Sequence, residues 1–117
     1  MKKRKLLVVD DDEAVLEFLR AKLGARYELL AVSDAARVVG IARDAHPDLI
    51  LCDIDMPEMD GGDVSAALFA DDETRDIPVL FLSALLGGEQ QVGGRAAIAK
   101  SAPIGELVAR IEALFKA

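Results

Sequence analysis

The sequence predicts an α/β domain: five parallel strands, each followed by a helix, with helices covering both faces of the sheet. Three observations lead there. Short apolar runs rich in β-branched residues recur along the 117 residues, and such runs fit strands buried on both faces. Stretches with apolar residues at helical spacing lie between them. The two patterns alternate, (βα)5, and that alternation favours parallel strands joined by right-handed crossovers.

Leu6 to Val9 is the first run. Val15, Leu16, Leu19 and Leu23 follow at helix spacing, and Gly24 stops them. Asp12 is placed to cap this helix. Tyr27 to Val32 reads as the second strand. Ser33 can cap the next helix, which carries Ala35, Val38, Val39 and Ala42 and stops before Pro47. His46, just before that proline, reads as a helix-end residue. Leu49 to Cys52 form the third strand. Asp60-Gly61-Gly62 turns into a helix with Val64, Ala67 and Leu68 on one face. Ile77 to Leu82 is the fourth strand, with Pro78 near its start. Ala96 to Ala99 is a weak fifth strand of small residues. The last helix starts near Pro103 and aligns Ile104, Leu107, Val108, Ile111 and Phe115. Between the fourth and fifth strands, Gly87, Gly88, Gly93 and Gly94 flank Glu89 to Val92. Each glycine costs about 1 kcal/mol against alanine in a helix, so a short or irregular element is expected there.

The length suits one domain spanning residues 1–117. Fourteen Lys and Arg against 21 Asp and Glu give a net charge of -7. That balance argues against a nucleic-acid binder and against anionic membranes. Lys2 to Lys5 form a basic start, but only four apolar residues follow before Asp10, too few for a signal core or a membrane span. Cys52 is the lone cysteine, which excludes an intrachain disulfide and fits a reducing, cytoplasmic setting. A small buried residue is the ordinary role of such a cysteine.

In parallel α/β sheets, ligands bind beyond the carboxyl ends of the strands. The first strand runs into Asp10, Asp11 and Asp12, the third into Asp53 with Asp55 two residues on, the fourth into Ser83 and the fifth into Lys100. Four of the five predicted strands therefore deliver polar groups to one end. Clustered carboxylates repel one another, and a hard divalent cation such as Mg2+ relieves that repulsion. A carboxylate held there can attack phosphorus to give an acyl phosphate. The moving phosphoryl oxygens need stabilising, which an ammonium and a hydroxyl can supply.

These segments resemble the response regulator receiver domain, the phosphoacceptor module of bacterial two-component signalling. Leu7-Val8-Val9-Asp10-Asp11-Asp12-Glu13 is similar to the family's acidic pair after its first strand. Asp48-Leu49-Ile50-Leu51-Cys52-Asp53-Ile54-Asp55-Met56-Pro57-Glu58-Met59-Asp60-Gly61 is similar to its phosphorylation segment, and Val79 to Ala84 to its strand ending in Ser or Thr, then Ala. The resemblance spans essentially the whole chain. It implies a doubly wound, flavodoxin-like sheet in the order 2-1-3-4-5. It also implies phosphorylation of Asp53, and Mg2+ held by Asp10, Asp11, Asp53 and the carbonyl of Asp55, with Asp11 the direct ligand. Ser83 and Lys100 would contact the phosphoryl group. The implied partners are a histidine kinase or phosphotransfer protein and a downstream protein target, with no nucleic acid or membrane contacted. The chain is expected as a monomer or weak homodimer. It is no enzyme beyond self-phosphorylation and autodephosphorylation.

The sequence departs from the family pattern in four places. Ser101 stands where proline usually follows the lysine, and Ala97 where an aromatic switch residue usually stands. Residues 84–99 are shorter than usual, and Asp55 adds a carboxylate. These departures motivate an alternative, a degenerate receiver that binds proteins without phosphorylation. Asp53-Ile54-Asp55 also resembles the nucleophile motif of haloacid dehalogenase phosphatases. That family places the motif on its first strand, whereas here an acidic pair precedes it.

Overall fold

The computed structural model describes residues 3–54, 61–83, 90–92 and 95–116. Along the chain run β1 (Lys5–Val9), α1 (Glu13–Leu23), β2 (Glu28–Val32), a 3-10 turn (Ala35–Arg37), α2 (Val38–Ala45), β3 (Leu49–Asp53), α3 (Gly61–Ala70), β4 (Val79–Ser83), β5 (Gln90–Val92), β6 (Arg95–Ala99) and α4 (Ile104–Lys116). The sheet order is β2-β1-β3-β4-β6-β5. The pairings β1–β2, β1–β3, β3–β4 and β4–β6 are parallel. The expected order 2-1-3-4-5 is therefore observed, with β6 as the fifth parallel strand.

One added element separates the fold from a plain (βα)5 repeat. The sequence between the fourth and fifth parallel strands contributes β5, antiparallel to β6, with Gln91 opposite Ala96. Among the described residues no helix lies there. The glycines on either side account for this, since a three-residue strand between them avoids most of their helical cost.

Both faces of the sheet are dry, as the continuous apolar runs require. One helix layer is α2 and α3, whose Val38, Ala42, Val64 and Leu68 pack against Leu7, Ile50 and Phe81. The other is α1 and α4, whose Leu16, Leu19, Leu107 and Ile111 pack against Leu6, Leu51 and Leu80. Alternate residues of β1, β3 and β4 serve the two layers.

Local chemistry sets the boundaries. Asp12 caps α1 as expected, accepting from the Ala14 N–H at 2.9 Å. The expected cap at Ser33 is corrected: the Asp34 carboxylate accepts from the Ala36 N–H at 3.0 Å and starts the 3-10 turn instead. Tyr27 leaves β2 because its N–H donates back to the Leu23 carbonyl. Ile77 leaves β4 because its N–H donates to the Thr74 carbonyl. His46 ends α2 in the left-handed region, with φ 50°. Gly24 closes α1, its N–H donating to the Arg20 carbonyl at 3.0 Å, and a Cβ there would lie 2.6 Å from that oxygen.

The packing ranks two substitutions. Phe81 is fully buried at the centre of the sheet. Phe81→Ala should lower unfolding free energy by about 3–5 kcal/mol. Asp12→Ala should lower it by only about 1 kcal/mol through the lost cap. Urea unfolding of both variants checks this order, and equal losses would contradict it.

Candidate functional site

Parallel register carries the polar groups to one place. Val9 pairs with Cys52 across β1 and β3, so Asp10 and Asp53 leave neighbouring strands at the same level. The Asp10 N–H still donates to the Val32 carbonyl of β2, at 3.1 Å, which fixes its backbone to the sheet edge. Asp53 pairs with Leu82 and Ser83 with Ala99, which sets Lys100 one residue beyond β6 beside them. The Lys100 N–H donates to the Ser83 carbonyl at 2.9 Å.

Asp10 and Asp53 are almost wholly buried, as is Ser83, while Asp11 is exposed at the rim. One carboxylate oxygen from each of Asp10, Asp11 and Asp53 falls within 4.8 Å of the others. Lys100 reaches into this cluster. Its Nζ lies 2.9 Å from Asp10 Oδ2 and 3.3 Å from Asp53 Oδ1. The structure thus brings together Asp10, Asp11, Asp53 and Lys100, and sets the Ser83 backbone against Lys100. Asp55 lies outside the described residues.

A second anchor was not foreseen from the sequence. The Asp12 backbone N–H donates to Asp10 Oδ1 at 2.9 Å. This is an Asx-type turn, and the Asp-x-Asp spacing was its only signal. It fixes one Asp10 oxygen and leaves the other facing Lys100. Oδ2 is buried, with the Lys100 ammonium 2.9 Å away.

The electrostatics follow from burial. Desolvation pushes the Asp10 carboxyl above its ordinary range, and the Asp53 charge adds to it, against the Asp12 N–H and the Lys100 ammonium. Burial alone would lower the Lys100 pKa, but hydrogen bonding and charge from Asp10 and Asp53 outweigh it, and the group is held above its ordinary value. Lys100 therefore stays an ammonium. Cys52 faces the opposite treatment: burial, with the charges of Asp53 and Asp10, pushes its thiol up to about 12. It is an inert core residue, as expected, and is buried against the phenyl layer of Phe81.

The donor set fits a hard divalent cation. All three residues offer a carboxylate oxygen within one cation's reach, and the buried Asp10 Oδ2 has the Lys100 ammonium beside it. An additional positive charge would offset what Lys100 alone leaves uncompensated.

An α/β sheet with an acidic pocket at its carboxyl end defines a class of ligand-responsive parallel-sheet domains. Comparison with known proteins narrows it. The family model for the response regulator receiver domain matches residues 6–112, and the chain belongs to that family. It is 42% identical to the response regulator PleD of Caulobacter vibrioides over 91 residues, 77% of this chain and 20% of that protein. It is 38% identical to the transcriptional regulatory protein PrrA of Mycobacterium tuberculosis over 118 residues, 96% of this chain and 50% of that protein. The chain thus spans a fifth to a half of these relatives' length. Among solved structures it resembles the receiver domain of Francisella response regulator 1452, with TM-score 0.81, 25% identity, and coverage of 97% and 98% of the two chains. It also shares the fold of the receiver domain of sensor histidine kinase PA1611 from Pseudomonas aeruginosa, which was solved with a magnesium ion in its active-site cleft. There the TM-score is 0.83, identity 23%, and coverage 98% and 99%.

Two departures from the family pattern are visible in place. Ala97 is fully buried opposite Phe81, so neither a hydroxyl nor a mobile ring occupies that position. Ser101 is exposed in the turn before α4.

The raised Asp10 pKa has a sign that can be tested. The folded state holds its proton above the ordinary value of 3.8, so stability falls as pH rises from there through the folded pKa. In EDTA at pH 7, Asp10→Asn should raise the melting temperature by a few degrees, where ~1 kcal/mol corresponds to about 4 °C at this size. The gap should close as pH falls toward 3.8. Mg2+ should stabilise the wild type more than the variant. A lower melting temperature for the variant at pH 7 in EDTA would contradict this electrostatic reading.

Proposed function

We propose that this chain is a phosphoacceptor switch, one receiver domain over residues 1–117, with Asp53 as the acceptor. The observation that carries the reading is the convergence of Asp10, Asp11, Asp53 and Lys100 at the carboxyl end of the sheet. The donor would be a histidine kinase or phosphotransfer protein. An Asp53 carboxylate oxygen bonds to phosphorus as the phosphorus–nitrogen bond to the donor imidazole breaks, and the electron pair leaves with the ring. Lys100 sits where its ammonium can pair with one phosphoryl oxygen, and the Ser83 hydroxyl is the candidate partner for another. Asp10, Asp11, Asp53 and the Asp55 carbonyl would hold Mg2+, which when bound supplies positive charge to the transferred group. Water later attacks the phosphorus and releases phosphate, so the product is a timed state rather than turnover.

Switching must differ from the usual hydroxyl–aromatic relay. The buried Ala97 and the β5–β6 hairpin replace that machinery, and the output is a changed protein–protein interaction on an altered face. A cytoplasmic setting fits a chain of this family with a single cysteine. Among the described residues no helix is long and apolar enough to cross a membrane.

Acetyl phosphate with Mg2+, followed by intact mass measurement, tests this. Wild type should gain the mass of one phosphoryl group, and Asp53→Asn should gain none. Lys100→Ala should slow the gain by about 10²-fold, the scale of one lost charge-stabilising donor. A gain that persists in Asp53→Asn would overturn the assignment. No gain in the wild type, even with Mg2+, would favour a phosphorylation-independent binding module.

A further inference from the structure

The Asp10 carboxylate is held at both oxygens. Its Oδ1 accepts the Asp12 N–H at 2.9 Å, and its Oδ2 lies 2.9 Å from the Lys100 ammonium. The residue is fully buried, so bulk solvent does not compete for either oxygen.

The Asp12 donor is built into α1. Asp12 repeats the same turn one step on, its own Oδ1 accepting the Ala14 N–H at 2.9 Å. Its carbonyl accepts from the N–H groups of Val15 at 3.1 Å and Leu16 at 3.2 Å. Leu16, Leu19 and Leu23 bury the helix against the sheet. At the other end, the Asp10 N–H donates to the Val32 carbonyl at 3.1 Å. Residues 10–12 are thus tied to β2 on one side and to α1 on the other. The Asp12 N–H leaves Oδ1 only if the first turn of α1 loosens.

This arrangement limits how Asp10 meets a cation. An ionised carboxylate has two acceptor oxygens. Chelation through both would set a cation against Oδ1, where the positive end of the Asp12 N–H dipole already sits. Ca2+ takes about 6–8 oxygens in flexible geometry and often binds a carboxylate through both. Mg2+ is smaller, demands octahedral geometry and keeps several waters, so one oxygen from each carboxylate suits it. We infer that the Asp12 N–H makes the pocket selective for Mg2+ over Ca2+, by holding Asp10 to a single donor oxygen. Asp12 is then a positioning residue that acts through its backbone, and its exposed carboxylate serves only as the helix cap. This selectivity presupposes the divalent-cation site proposed for Asp10, Asp11 and Asp53.

Calorimetric titration of the full chain with Mg2+ and with Ca2+ tests it, and the ratio of the two affinities is the readout. Both ions carry the same charge, so a change in net charge or in fold stability moves both affinities alike and leaves the ratio unmoved. Asp12→Asn keeps the N–H and a capping oxygen. Asp12→Ala keeps the N–H and loses the cap. Asp12→Pro loses both, and the φ of -93° at this position lies near proline's range of about -65°. An ester gives the cleanest comparison: lactate at position 12, in a chain assembled by ligation at the lone Cys52, differs from Asp12→Ala only in the missing N–H. The preference for Mg2+ over Ca2+ should fall by about tenfold in Asp12→Pro and in the ester, and stay within about twofold of wild type in Asp12→Ala and Asp12→Asn. An unchanged ratio in the ester overturns the assignment, as does an equal fall in Asp12→Ala. A wild type that binds neither cation overturns the cation site beneath it as well.

Discussion

The close approach of Asp10 and Asp53 is the constraint on which the rest of the site depends. Parallel register places two buried carboxylates at the ends of neighbouring strands, and a third, Asp11, at the rim. Like charges so close and so poorly hydrated cannot stand uncompensated. Lys100 supplies one positive charge, 2.9 Å from Asp10 and 3.3 Å from Asp53. The balance that remains is negative, and this local deficit is what the proposed cation and phosphoryl transfer would answer.

The sheet supplies the rigidity such a cluster needs. Each site residue either ends a strand or follows one, and the central strands β1, β3 and β4 are buried on both faces. The Asp12 N–H holds one oxygen of Asp10, the Ser83 carbonyl holds the Lys100 backbone, and both α layers clamp the strands behind them. Little of this framework can move without exposing apolar core.

Most of the fold was legible because parallel strands and amphipathic helices have different periods. The five parallel strands and the helices led by Val15, Val64 and Ile104 stand where their patterns put them. What the pattern could not show was decided by hydrogen bonds. Tyr27 and Ile77 are apolar and β-prone, yet their N–H groups close turns. Asp34 rather than Ser33 caps the 3-10 turn, a choice between adjacent residues that composition does not separate. The hairpin strand Gln90–Val92 pairs only with β6 and lacks an apolar run of its own, so glycine spacing signalled an irregular element without naming it. The clustering of Asp10, Asp11, Asp53 and Lys100 followed from the strand ends. The contact between Lys100 and Asp10, closer than that with Asp53, did not, because it depends on how the turn at Asp12 orients one carboxylate.

The central claim is that Lys100 and a divalent cation answer to the same excess of negative charge. Calorimetric titration of Mg2+ into the wild type and into Lys100→Met tests it most directly. Removing the ammonium leaves Asp10 and Asp53 less compensated while preserving side-chain bulk. The account predicts tighter Mg2+ binding in Lys100→Met, by about tenfold, or ~1.4 kcal/mol. Unchanged or weaker binding would show that the carboxylates and Lys100 do not share one electrostatic balance, and would contradict it.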